Sequence, residues 1–197
     1  MYKKIIIGTR GSKLSLAYAG RVKNLLVGLD QSLKNQIEIK IIKTTGDLNV
    51  DKKISELGGK NYFCKEIEDQ LQNKKIDVAV HSLKDMETIE NKNLVVAAFL
   101  KRNDPRDILV MKDKTSIFSN ENCLIGSSSK RRELQMKLVF KNFVTKQIRG
   151  NIDTRIEKVN EGKFDGVMLA AAGLKTLNLE SYISRYFSIN EIIPAAG

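Results

Sequence analysis

Apolar positions recur along this chain with two alternating periods. Residues 3–8 (Lys-Lys-Ile-Ile-Ile-Gly) read as a buried strand, and Ile37, Ile39 and Ile41 alternate with polar neighbours over 37–42 as a second. Between them Leu14, Tyr18, Val22, Leu25, Leu26 and Leu29 fall at helical spacing, which predicts a helix from about Ser12. Thr44-Thr45-Gly46-Asp47 reads as a turn and Gly58-Gly59-Lys60 as a flexible loop. A helix over about 61–73 places Phe63, Ile67 and Leu71 on one face, and Ile76–Val80 and Leu94–Phe99 predict strands. Asn103-Asp104-Pro105-Arg106 is the best break in the chain, and after it the alternation restarts. Strands are predicted at 108–110, 123–126, 144–149 and 166–169, with helices over about 129–138 and 151–160 and a short one after Leu169. Strands alternating with helices indicate an α/β class. The break divides it into two α/β domains, residues 1–101 and 102–191, with a cleft between them.

Composition narrows the function classes. The 197 residues carry 34 Lys+Arg against 23 Asp+Glu, a formal charge of +11. At 42% apolar and 29% charged residues the chain reads as folded, not disordered. No apolar run approaches the roughly 18 residues of a membrane span. The N-terminus is too short in apolar residues for a signal peptide, so the cytoplasm is the default compartment and no membrane partner is expected. The positive charge suggests an anionic partner. Single-stranded nucleic acid would need aromatic platforms, yet aromatics are 6% and Trp is absent, so nucleic acid is not favoured. Much of the excess is Lys spread singly, as on a solvated surface. Two cysteines 59 positions apart and a lone His81 give neither a disulfide framework nor a metal set, so no metal is expected. Cys64 and Cys123 read as small buried hydrophobes.

The arginines are placed more tellingly. Three strand-to-helix corners carry hydroxyls, Gly or Asn, and Arg: Thr9-Arg10-Gly11-Ser12, Ser127-Ser128-Ser129-Lys130-Arg131-Arg132, and Arg149-Gly150-Asn151 followed by Arg155. A helix N-terminus presents free N–H groups to an anion, and Arg grips carboxylate or phosphate through two bonds. At any one corner, simple helix capping by Ser12, Ser128 or Asn151 is the slightly better explanation. Three basic corners together favour an anion site, and a ligand with several carboxylates over a single phosphate. There is no P-loop and no G-x-G-x-x-G to suggest a nucleotide. A second constellation, His81-Ser82-Leu83-Lys84-Asp85, follows a strand that should be central. Asp85 among basic groups stays ionised and could accept protons or stabilise a transient cation. The alternative is a turn closed by a Lys84–Asp85 salt bridge.

As a set, these motifs resemble the porphobilinogen deaminase (hydroxymethylbilane synthase) family. The resemblance rests on Ile7 to Leu14, Gly58-Gly59-Lys60-Asn61-Tyr62-Phe63-Cys64-Lys65-Glu66, and Asp77 to Asp85. It continues through Asn103 to Asp107, Gly126 to Arg132, Arg149 to Arg155, and Leu169-Ala170-Ala171-Ala172-Gly173-Leu174. It implies two domains like those of periplasmic binding proteins, with the active site in the cleft. It implies a monomer that deaminates four porphobilinogen molecules and joins them head to tail into hydroxymethylbilane, on a covalently held dipyrromethane cofactor. Every ring of the growing oligopyrrole brings an acetate and a propionate. By resemblance, Lys84, Ser127, Ser128, Ser129, Arg131, Arg132 and Ala170 hold the cofactor. Arg10, Ser12, Ser82, Arg149, Gly150 and Arg155 hold the substrate. Asp85, the catalytic residue, contacts the cofactor's pyrrole N–H groups and stabilises the cationic azafulvene left when ammonia departs. Lys60 and Phe63 belong to a loop near the cleft.

Three departures from the family pattern stand out. Met86-Glu87 replaces a Val-Pro or Met-Pro pair and is expected to loosen the turn holding Asp85. Thr176 replaces an Arg, with one carboxylate contact expected to be missing. Residues 192–197, ending Pro194-Ala195-Ala196-Gly197, match the start of a return crossover to the first domain. In the family an α+β third domain follows, and it carries the cysteine that anchors the cofactor. Two readings follow: a deaminase represented by its first two domains, or a non-catalytic polycarboxylate-binding module of the same fold.

Overall fold

The computed structural model describes residues 4–48, 62–87, 91–113 and 122–196. The chain divides into two compact units, Met1–Leu100 with Gly197 and Lys101–Ala196. Each has its own sheet.

The first unit runs β1 (Ile5–Thr9), α1 (Lys13–Leu29), β2 (Ile37–Ile41), α2 (Thr45–Leu48), α3 (Lys65–Gln72) and β3 (Val78–Ala79). The sheet is parallel in the order β2-β1-β3, with Ile7 opposite both Ile39 and Val78. Successive side chains of a strand point to opposite faces. Ile5 and Ile7 therefore join Ile37, Ile39, Val78 and Val80 beneath Ala19, Val22 and Leu26 of α1. Ile6 and Ala79 face the other way, onto Ile42, Ile67, Leu71 and Ile76. The continuous Ile-Ile-Ile run marks a strand covered on both faces. Ser12 caps α1 by accepting a bond from Ser15 N at 3.2 Å.

The second unit runs β4 (Asp107–Met111), β5 (Cys123–Gly126), α4 (Lys130–Val139), β6 (Phe143–Lys146), α5 (Ile152–Asn160), β7 (Gly166–Ala170), α6 (Ala171–Thr176) and β8 (Arg185–Tyr186). Its sheet has the order β6-β5-β7-β4-β8. β5 is parallel to β6 and β7, whereas β4 is antiparallel to β7 and β8. Ile108 and Val110 pack with Val167 and Leu169 against Ile156 and Val159 of α5 and Leu174 of α6. Leu109, Met111 and Met168 pack on the opposite face with Ile125 and with Met136 of α4. The antiparallel register sets Asp107 opposite Ala170. The start of β4 thus shares a sheet edge with the carboxyl ends of β5, β6 and β7, where helices α4, α5 and α6 begin.

The α/β class holds in both units, but several elements differ from the pattern. The segment read as a turn at 44–47 closes into the short helix α2. The helix expected from about 61 starts at Lys65, and the strand expected to reach Arg149 stops at Lys146. Leu94–Phe99 makes no strand; its backbone has no ladder partner among the described residues, and Val95 and Phe99 are exposed. Among the described residues no helix is long and apolar enough to cross a membrane.

Candidate functional site

The edge of the second unit gathers two of the three basic corners. After β5, Ser127 Oγ accepts from Ser129 N at 3.2 Å, and Ser129 is the cap of α4, its Oγ accepting from Arg132 N at 3.5 Å. The capping role expected of Ser128 therefore belongs to Ser129. Ser128 instead donates to the carbonyl of Ile148 and ties the two corners together. After β6, Gly150 adopts φ +112°, a conformation that side chains resist, and a Cβ there would lie 2.9 Å from Thr154 Cγ2. Asn151 sits at the N-cap of α5 but makes no side-chain capping bond. Arg155 Nε donates to Gly150 O at 2.8 Å, and Lys158 Nζ to Arg149 O at 3.0 Å. Ala170 ends β7 at the same edge.

Asp107 organises the positive charge here, and the sequence reading assigned it no role. Its side chain is 2% exposed. Arg132 donates to Oδ1 through Nε at 3.1 Å and Nη2 at 2.8 Å, with Nη1 on Met168 O at 3.2 Å. Arg131 Nη1 lies 2.7 Å from Oδ2, a charge contact without hydrogen-bond alignment, and also donates to Ile193 O. The two arginines expected to meet a ligand's acids are thus pre-held by one carboxylate. Arg155 differs. Burial, then the charges of Arg132 and Arg149, hold its guanidinium down to about 10. Two arginines thus share the single charge of Asp107, and Arg155 lies within reach of the charges of Arg132 and Arg149, an arrangement suited to a ligand rich in carboxylates. A dipyrromethane, with acid side chains on both rings, matches that donor set. Thr176 adds nothing to it: its hydroxyl donates to Ala172 O at 2.7 Å.

In the first unit the third corner is engaged from within. Arg10 pairs with Asp47 (Nη2–Oδ1 2.5 Å, Nε–Oδ1 3.1 Å) and lies 4.0 Å over the ring of Phe63. Phe63 in turn packs on the bare backbone of Gly46, where a Cβ would sit 2.2 Å from the ring. Phe63 thus acts as a platform for Arg10. Lys60 lies outside the described residues.

Beyond β3, Leu83–Asp85 forms a 3-10 turn. Asp85 N donates to Ser82 O at 2.9 Å and Met86 N to Leu83 O at 3.1 Å, so Met86-Glu87 leaves the turn closed. Lys84 and Asp85 are exposed. Cys64 Sγ donates to the carbonyl of Asp85 at 3.4 Å. Burial and the charges of Glu68 and Asp85 push this thiol up to about 12, so it is inert as a nucleophile. Cys123 is likewise buried. Burial also pulls His81 below its ordinary value.

The comparisons agree with the motifs. The family model described as "Porphobilinogen deaminase, dipyromethane cofactor binding domain" matches residues 5–197. A porphobilinogen deaminase of Ruminiclostridium cellulolyticum is 46% identical over 195 residues, 99% of this chain and 65% of its own length. One of Sulfurimonas denitrificans is 38% identical over 198 residues, 99% of this chain and 63% of its own. The chain therefore spans just under two thirds of the length of these curated relatives. Among solved structures, an ancestral arginine-binding protein bound to glutamine overlays with a TM-score of 0.42 at 15% identity, covering 95% of this chain and 79% of that one. With a family model matched from Ile5 to the last residue, and relatives this similar along almost the whole chain, the chain belongs to the porphobilinogen deaminase family.

Proposed function

We propose that this protein takes part in converting four porphobilinogen molecules and one water into hydroxymethylbilane and four ammonia molecules. It would act as a monomer in the cytoplasm, without a nucleic-acid or membrane partner. The observation that carries the reading is the gathering of arginines at one sheet edge, where Arg131 and Arg132 share the single carboxylate of Asp107 and Arg132 and Arg149 crowd Arg155. When bound, a dipyrromethane supplies the pyrrole carbon to which the first porphobilinogen unit is joined. Ser127, Ser128, Ser129, Arg131 and Arg132, beside Ala170, would hold its acids together with Lys84. Arg149, the Gly150 backbone, Arg155, Arg10, Ser12 and Ser82 would hold the acetate and propionate of the incoming substrate.

The chemistry needs a carboxylate near the reacting ring. Loss of ammonia from the aminomethyl group leaves a positive charge spread over the pyrrole ring, and an anion nearby lowers the barrier to forming it. Asp85 suits this role because its turn is fixed by backbone bonds while its side chain stays exposed. Phe63 and Asp47 orient Arg10 for a substrate carboxylate.

The test is ammonia release and tetrapyrrole formation from porphobilinogen by the natural full-length protein. Arg149→Leu should raise KM with little loss of stability, and Asp85→Ala should abolish turnover while leaving the fold intact. Near-normal turnover in Asp85→Ala would remove Asp85 from the chemistry, and unfolding of Arg149→Leu would make that arginine structural.

A further inference from the structure

Two cysteines and one histidine suggested no metal, yet the fold of the first unit brings one of each together with an acid. Cys64 Sγ, a Glu68 carboxylate oxygen and a His81 ring nitrogen all lie within 4.8 Å of one another. Cys64 stands at the N-cap position of α3 and Glu68 follows one turn later, so both project from the same helical face. His81 follows β3, the strand next to that helix. Its Nε2 is buried and has no hydrogen-bond partner among the described residues, an expensive state for an imidazole nitrogen unless something binds it.

We propose that Cys64, Glu68 and His81 form a three-ligand site for a thiophilic divalent cation of the zinc class. Thiolate, imidazole and carboxylate are the donor types zinc takes. Bonds of about 2.0–2.3 Å in a tetrahedron set ligand atoms roughly 3.3–3.7 Å apart, so the three need close by no more than about 1.5 Å, within reach of side-chain adjustment. A thiolate and a carboxylate bring two negative charges against the cation's two positive ones. A water completes the fourth position. On binding, the Cys64 S–H bond breaks, its proton passes to solvent, and the sulfur's electron pair forms the metal bond. The hydrogen bond from Cys64 to the Asp85 carbonyl is given up in the same event.

Titration of the purified, metal-free protein with Co2+ tests this. One equivalent should produce a thiolate-to-cobalt charge-transfer band that Zn2+ abolishes by displacement. Cys64→Ser should remove the band, Glu68→Gln and His81→Gln should each weaken Co2+ binding at least tenfold, and Cys123→Ser should change nothing. Circular dichroism of the metal-free variants checks that each folds. Should Cys64→Ser fail that check, the Glu68→Gln and His81→Gln affinities decide alone. Absence of the band, its survival in Cys64→Ser, or affinities unmoved in Glu68→Gln and His81→Gln would overturn the proposal.

Discussion

Removing the negative charge of Asp107 while keeping its shape, as Asp107→Asn, should strand two partly buried arginines. Three close nitrogens surround this carboxylate, at 2.7, 2.8 and 3.1 Å, and its side chain is 2% exposed. Breaking a buried ion pair by removing one partner costs about 3–5 kcal/mol. Arg132 is 12% exposed and Arg131 27%, so water reaches both and the lower figure, about 3 kcal/mol, applies. The second unit spans 96 residues, Lys101–Ala196. In a unit of that size each kcal/mol moves the midpoint by about 4–8 °C, so Asp107→Asn should lower Tm by about 12–24 °C. The assay is thermal and urea unfolding followed by circular dichroism. Adding Arg132→Met should restore part of the loss, because the double variant removes one of the two cations that Asp107→Asn orphans, leaving only the more exposed Arg131. A Tm for Asp107→Asn within about 4 °C of wild type would refute the reasoning, since that is at most about 1 kcal/mol.

Three further predictions concern the same two corners and their surroundings. Arg155→Met relieves a guanidinium held down to about 10, equivalent to about 3 kcal/mol, but loses the bond to Gly150 O, worth about 1.5–3 kcal/mol; urea unfolding should place it within about 1.5 kcal/mol of wild type. Gly150→Ala forces a side chain into φ +112° against Thr154 and should cost about 1–3 kcal/mol in the same assay. Arg106, with Lys175, holds Asp104 well below the usual carboxylate range. A depressed carboxylate stabilises the fold above its unfolded value of about 3.9 and loses that contribution as the pH falls toward its folded value. Asp104→Asn should therefore be less stable than wild type at pH 7 by no more than about 1 kcal/mol, with the gap closing in acid; a gap constant with pH would count against the pairing.

What the sequence made legible follows its periodicities. Ile5–Ile7 and Ile37–Ile41 alternate or run apolar as strands do, and Ser12 stands one residue ahead of a helical stripe. Leu94–Phe99 has the same composition, but a strand also needs a neighbour to pair with, and composition does not supply one. The role of Asp107 is not legible in the sequence, because it depends on topology. Only the antiparallel course of β4 carries it to the edge where α4 begins, although a lone acid opening the apolar run Ile108–Met111 was a signal. Arg131 and Arg132 were legible as cations and not as a pair sharing one carboxylate. Cys64 and Glu68 could be placed on one helix face from their spacing, but His81 joins them only through the packing of β3 beside α3.

The most direct test of the central claim is calorimetric titration of porphobilinogen into wild type and Arg155→Met. The account predicts that the variant, about as stable as wild type, binds porphobilinogen at least tenfold more weakly; equal affinity in the two proteins would contradict a carboxylate-binding role for this corner.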